Sequence, residues 1–212
     1  MRDGTHYFAA CDSAWSRPCR LLVFYIIEYR ALWPSNLLLI APRCSVFIAV
    51  SVDGYIARSD GAIDWLATVQ QDGEDYGYKK CFDSVDAIVL GRNTYDLALG
   101  VEPWPYSGKR CIVLTHRSPT SRHGEEFFRG GPEALVEQLG RDGTRHVYVD
   151  GGTVIQQFLA AKVIDDLTLS VVPVVLGAGI RLFAKDGPEQ RLTLDEARSW
   201  PTGLTQLRYH LG

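Results

Sequence analysis

The sequence predicts an α/β protein of three layers, with a mixed, mostly parallel sheet, helices on both of its faces and an antiparallel C-terminal edge. Three observations carry this expectation. From Cys44 onward, buried-strand patterns alternate with helical ones. Three strand patterns stop at glycine-containing turns: VFIAVSVDGYIA at 46–57, LGRNTY at 90–95 and VDGGTVIQQF at 149–158. The last two periodic segments alternate with period two and have no helix between them, as an antiparallel pair does.

Taken in order, CSVFIAVS (44–51) reads as a buried strand, and DGYIARSDGAIDW (53–65), with two Asp-Gly pairs, reads as a loop. Residues 72–83 read as a helix, DAIVLG (86–91) as a strand, and a short helix starts after Gly91. Pro103, Pro105 and Gly108 mark a loop carrying Trp104 and Tyr106, and RCIVLT (110–115) is the next strand. A short strand EFFR leads through Gly130 and Gly131 into a helix opened by Pro132, a residue suited to a first turn. HVYVD (146–150) gives way at Gly151 and Gly152 to a helix over 153–161. DDLTLSVVPVVLG (165–177) reads as one long strand, and the segments at 191–200 and 202–211 as the closing hairpin.

Composition narrows the function. With 46% hydrophobic and 22% charged residues the chain is an ordinary globular sequence. A net charge of −3 gives no basic face for a nucleic-acid backbone, so that class of partner is not expected. The five cysteines form no CxxC pair and read as reduced thiols of a cytoplasmic protein. Residues 1–43 read as an upstream extension, either poorly ordered or the product of a misplaced start codon, ahead of a domain over 44–212. Their apolar runs, 21–27 and 37–40, are short of the roughly 20 residues that a membrane helix needs. The histidines form no close ligand pair, so no catalytic metal is expected. GxSxG and GxGxxG are both missing, which leaves hydrolase chemistry and an ordinary dinucleotide fingerprint without support.

A strand that ends in Asp-Gly-Gly before a helix suits a phosphate, because glycine lets the backbone approach and the helix start offers free N–H groups. The order of pieces, IAVSVDGYIA, DW, LGRNTY, VLT and DGG, with VVPVVLGAGIRLF following, resembles the dihydrofolate reductase fold family. The resemblance is closest to its bacterial branch shared with the reductase domain of riboflavin biosynthesis, and it covers about 44–211.

That resemblance implies an NADPH-dependent reductase of a small heterocyclic substrate such as 5-amino-6-(5-phosphoribosylamino)uracil. It places Ala49 at the nicotinamide and Val50 at the substrate, with Ile56 and Ala57 in a loop closing over the nicotinamide. Gly91, Arg92, Asn93 and Thr94 match the cofactor turn, with Arg92 set to meet the 2′-phosphate. Thr115 and His116 match positions near the adenosine phosphate, and Gly151, Gly152 and Thr153 the pyrophosphate turn. Gap-free counting puts the family's helix-borne acid at Asp75, supported by Ser170, and a recurrent aromatic of the substrate mouth at Trp65. The branch also implies a homodimer through the C-terminal strands.

The chain departs from the family pattern in having Thr153 where the folate reductases carry a second arginine, so the choice of NADPH over NADH leans on Arg92. Two substrates compete. Dihydrofolate needs a buried acid at Asp75, while a phosphoribosylated pyrimidine needs cations, with Arg58, Arg181 and Lys185 as candidates. A non-catalytic nucleotide-binding or oligomeric scaffold is the reading outside enzymes.

Overall fold

The computed structural model describes residues 41–117 and 120–212, so the expectations for the extension up to residue 40 lie outside the described residues. The chain runs β1 (Arg43–Ser51), β2 (Tyr55–Ala57), a 3-10 helix (Asp64–Val69), α1 (Tyr78–Ser84), β3 (Ala87–Gly91) and α2 (Arg92–Ala98). It continues through β4 (Arg110–Leu114), β5 (Glu126–Phe128), α3 (Pro132–Arg141), β6 (His146–Asp150) and α4 (Gly152–Ala160). It closes with β7 (Asp166–Val172), β8 (Ile180–Arg181), β9 (Leu192–Ser199) and β10 (Thr205–Leu211).

Eight strands form one sheet in the order β5-β4-β3-β6-β1-β7-β10-β9. The pairings from β5 across to β7 are parallel, and β10 runs antiparallel to both β7 and β9. The expected mixed sheet with an antiparallel C-terminal edge is therefore the observed one.

One face of the sheet packs against α3 and α4. Leu135, Val136 and Leu139 of α3, and Val154, Ile155, Phe158 and Leu159 of α4, are spaced to fall on one side of each helix, and all are buried against Val46, Val89, Val147 and Leu167. Phe158 is fully buried, so truncating it to alanine costs about 3–5 kcal/mol. The other face carries two separate clusters. Ile88, Leu90, Tyr95, Tyr106 and Tyr148 pack with Phe47 beside α1 and α2, and Trp65, Val69, Val172 and Leu204 pack with Ala49 under the 3-10 helix. Phe47 and Ala49 lie two residues apart on the same face of β1, so the gap between these clusters runs over the central strand.

Three expectations need correction. The helix predicted over 72–83 begins only at Tyr78, because Gly73, Tyr76 and Gly77 all hold positive φ, and a right-handed helix cannot pass through them. The loop after β1 contains β2 and the 3-10 helix, elements too short for periodicity to register. The predicted strand over 165–177 stops at Val172, before Pro173, which has no N–H to give a ladder.

Candidate functional site

The sheet opens at its centre. β1 pairs with β6 only from Arg43↔His146 to Ser45↔Tyr148, while its other edge stays paired with β7 to Ser51↔Val172. Beyond Ser45 the two strands diverge, and the carbonyl of Phe47 takes its hydrogen bond from the Tyr148 hydroxyl at 3.0 Å. Phe47, Ile48 and Ala49 are partly exposed although β1 is a central strand. A crevice thus lies outside the carboxyl ends of β6 and β1, where the chain's connections leave in opposite directions, the usual ligand position in an open α/β sheet.

Asp150, the last residue of β6, stands at this crevice on the Tyr148 face. Its carboxylate accepts from the Gly151 N–H at 2.8 Å and from the Tyr106 hydroxyl at 3.1 Å. Burial pushes its pKa up, and the bonds from Tyr106 and Gly151 offset only part of that. Burial, then the Asp150 charge, lifts the neighbouring Tyr78 to about 12, and burial likewise raises Tyr106 and Tyr148. These tyrosines are neutral donors at physiological pH, and Asp150 is the one group among them suited to proton transfer. On the opposite side of Ala49, Ser170 is buried and accepts a bond from the Gln206 amide at 2.9 Å, and the same amide donates to the Tyr76 carbonyl at 3.0 Å.

Sequence reasoning missed Asp150. The signal was available: an acid at a strand end, directly before two glycines. Asp75 had been given the acid's role, and the structure corrects this. Its carboxylate caps the start of α1, accepting from the N–H groups of Gly77 and Lys79, each at 2.9 Å. Those two bonds hold its pKa below the ordinary range, and it is exposed, so it is an ionised cap rather than a proton donor.

The candidate cofactor residues gather on the carboxyl edge of adjacent strands: Thr115 and His116 after β4, Gly91 to Thr94 at β3 and α2, and Gly151 to Thr153 between β6 and α4. Gly151 has φ 90° and ψ 134°, and a Cβ there would run into Thr94 Oγ1. A Cβ on Gly91 would meet Val154 Cγ2 at 3.1 Å. These glycines let the starts of α2 and α4 close on one another, and the turn into α4 presents a helix start of the kind that accepts a pyrophosphate. Arg92 donates through Nε to both carboxylate oxygens of Asp96, at 2.8 and 2.7 Å. Thr115 Oγ1 accepts from the Arg117 N–H at 3.1 Å, while His116 and Asn93 are exposed.

The loop after β1 is fastened over this edge. Asp53 accepts from the Ser51 hydroxyl at 2.7 Å and from the N–H groups of Leu176 and Gly177 at 3.0 and 2.7 Å, bonds that hold its pKa down to about 2. β2 pairs with β8 in a two-stranded ladder. Ile56 thereby lies against the glycine turn, where a Cβ on Gly152 would meet Ile56 Cδ1 at 2.9 Å and Ile180 Cγ2 at 3.2 Å. Ala57 is buried beside Gly179.

Other candidates land elsewhere. Val50 is 5% exposed within the core on the α4 side, so its side chain does not line the crevice. Trp65 is buried under the 3-10 helix and leaves its indole N–H without a partner. Trp104 stacks on His123, with ring centroids 4.4 Å apart. Arg58 is held by both oxygens of Asp64 at 2.6 and 3.0 Å, and Arg181 lies over the Tyr55 ring at 4.9 Å. Lys185 sits beside Ala184, in a segment lining a groove with Leu159, Leu167 and Leu211 on the α4 face, away from Asp150. Among the described residues no cluster of His, Cys, Asp and Glu is arranged to hold a metal, and no helix is long and apolar enough to cross a membrane.

Comparison with known proteins fits this arrangement. The family of the RibD C-terminal domain matches residues 42–205. YwjB of Bacillus subtilis is 36% identical over 168 residues, covering 77% of this chain and 95% of its own. A structure from Shewanella sp. PV-4, of a protein named for riboflavin biosynthesis, superposes with a TM-score of 0.75 at 33% identity, over 80% of this chain and 99% of that one. The fold is shared with a Thermotoga maritima diaminohydroxyphosphoribosylaminopyrimidine deaminase/5-amino-6-(5-phosphoribosylamino)uracil reductase, at TM-score 0.62 and 14% identity, over 91% of this chain and 60% of that one. This chain, with its dihydrofolate-reductase-like sheet and its glycine turns, belongs to the RibD C-terminal domain family.

Proposed function

We propose that the protein is an NADPH-dependent reductase of a small heterocycle of the aminopyrimidine type, such as 5-amino-6-(5-phosphoribosylamino)uracil. The observation that carries this reading is Asp150, a carboxyl with a raised pKa, standing beside the glycine turn that opens α4 at an opened sheet centre. When bound, NADPH supplies the hydride from its nicotinamide C4 to a C=N or C=O carbon, becoming NADP+. The chain's own groups do the rest. The turn from Gly151 into α4, packed against Gly91 and Thr94, offers backbone N–H groups at a helix start to the pyrophosphate. Ile56 and Ile180 exclude water above the glycine turn. Asp150 delivers a proton to the nitrogen or oxygen of the reduced bond and regains one from solvent, with Tyr106 and the Gly151 N–H fixing its carboxyl.

Dihydrofolate is the weaker substrate, because the acid it calls for on the first helix is here the capping residue Asp75. A homodimer through β9 and β10 belongs to the same reading. Every residue of β9 is exposed, and Leu192 and Leu194 lie opposite Leu211 and Tyr209, extending an apolar stripe from the core to the open edge. Cytoplasmic residence is supported by the free thiols of Cys44, Cys81 and Cys111.

The test is NADPH oxidation with the aminopyrimidine as substrate, in the wild type and in Asp150→Asn. Turnover that falls by about 10²–10⁴ in the variant, with cofactor affinity retained, supports the assignment. A variant as active as the wild type removes Asp150 from the chemistry.

A further inference from the structure

We propose that Asp96 is a positioning residue that sets the preference for NADPH over NADH, by holding the Arg92 guanidinium through Nε and leaving its two terminal nitrogens unengaged by Asp96. The inference rests on the cofactor reading above and deepens it. Arg92 opens α2 directly after Gly91, at the carboxyl end of β3, and Asp96 follows one helical turn later. Both bonds to Asp96 leave from Nε, so the terminal nitrogens keep their donors for another oxyanion. The guanidinium also lies over the Tyr95 ring, 5.7 Å from its centroid.

That ring is a rigid seat. Tyr95 is 1% exposed and its hydroxyl donates to Glu125, itself 4% exposed. Glu125 also accepts from the N–H groups of Arg122 and His123, at 2.8 and 2.7 Å. Although burial works against it, these bonds keep Glu125 ionised, with a pKa of about 2, so the seat stays fixed across physiological pH. A flexible arginine is thereby clamped on one edge and one face, with a planar fork left to meet a phosphate.

Two effects of Asp96 oppose each other. Its charge repels a phosphate dianion, and its bonds order the arginine that receives one. The side chains of Arg92 and Asp96 are 30% and 47% exposed, so water and salt screen the charge, and ordering prevails. NADH carries a hydroxyl in place of the 2′-phosphate and gains little from the fork.

The experiment measures dissociation constants for NADPH and NADH by fluorescence on the wild type, Asp96→Ala, Asp96→Asn and Arg92→Ala, each shown to be folded by circular dichroism. Asp96→Ala is expected to weaken NADPH about three- to tenfold, the cost of ordering one long side chain on binding, and to leave NADH within about twofold. Asp96→Asn, whose amide oxygen still accepts from Nε, restores NADPH binding to within about twofold of wild type. Arg92→Ala removes the difference between the two cofactors. NADPH affinity unchanged or tighter in Asp96→Ala, or weakened equally in the Ala and Asn variants, overturns the positioning role while leaving the reductase reading intact. A folded wild type that binds neither cofactor overturns the reductase reading itself, and the inference with it.

Discussion

Replacing Gly151 with alanine tests the glycine turn most directly, because the structure separates the cost into two parts. The first is backbone. At φ 90° and ψ 134° an L-residue sits in a region that glycine alone occupies freely, a strain of about 1–3 kcal/mol. The second is a collision, since the new Cβ would run into Thr94 Oγ1, and crowding of this kind costs about 1–3 kcal/mol more. Gly151→Ala should therefore lose about 2–6 kcal/mol in urea unfolding, or roughly 4–24 °C in Tm for a chain of this size. In a Thr94→Ala background the hydroxyl is gone, only the backbone part remains, and the same substitution should cost about 1–3 kcal/mol. Wild type, both single variants and the double variant are compared at one pH with identical protein concentration. If Gly151→Ala lies within about 0.5 kcal/mol of wild type, or costs as much without the Thr94 hydroxyl as with it, the close approach of α2 to the glycine turn is wrong.

Asp150→Asn has a pH signature. Burial raises this carboxyl's pKa, so the folded chain holds the proton more tightly than the unfolded one, and stability falls as pH rises from the ordinary aspartate value through the raised one. The asparagine variant should melt no higher than wild type near pH 3 and higher at pH 8, and a gain independent of pH counts against the raised pKa. Asp75→Ala should destabilise by about 0.5–2 kcal/mol through loss of the α1 cap, with kcat unchanged, whereas a collapse of kcat would return the acid's role to Asp75. Leu194→Asp should turn a dimer into a monomer in light scattering after size exclusion, and a wild type that is monomeric at micromolar concentration removes the dimer. Tyr106→Phe should lower turnover by weakening the hold on Asp150, while leaving cofactor affinity alone, and equal loss in both would point to a general disturbance.

Much of this architecture was legible in the sequence because strong local signals coincide with it. The runs that became β1, β3, β4 and β6 are apolar, and the glycines that end β3 and follow β6 proved to be where neighbouring elements approach too closely for a side chain. What escaped was whatever depends on long-range pairing. The β2 and β8 strands, of three and two residues, have no periodicity of their own and exist through contact with each other. The divergence of β6 from β1 has no sequence mark, and the burial that raises the Asp150 pKa, like the bond from Tyr106 that opposes it, comes from elements distant in the chain. Asp75 was misplaced because gap-free counting assumed a helix running through Gly73 and Gly77. Arg58 carried its own warning in Asp64, an acid close enough in sequence to claim it.

The Asp53 fastening has a kinetic consequence. Because one carboxylate grips both the turn after β1 and the backbone of Leu176 and Gly177, and because β2 and β8 share a ladder, the two segments are tied to each other at two places. On the proposed cofactor reading, a dinucleotide leaving the glycine turn past Ile56 would have to displace Ile180 as well, so the segment from Pro173 to Leu182 would share control of how fast it escapes.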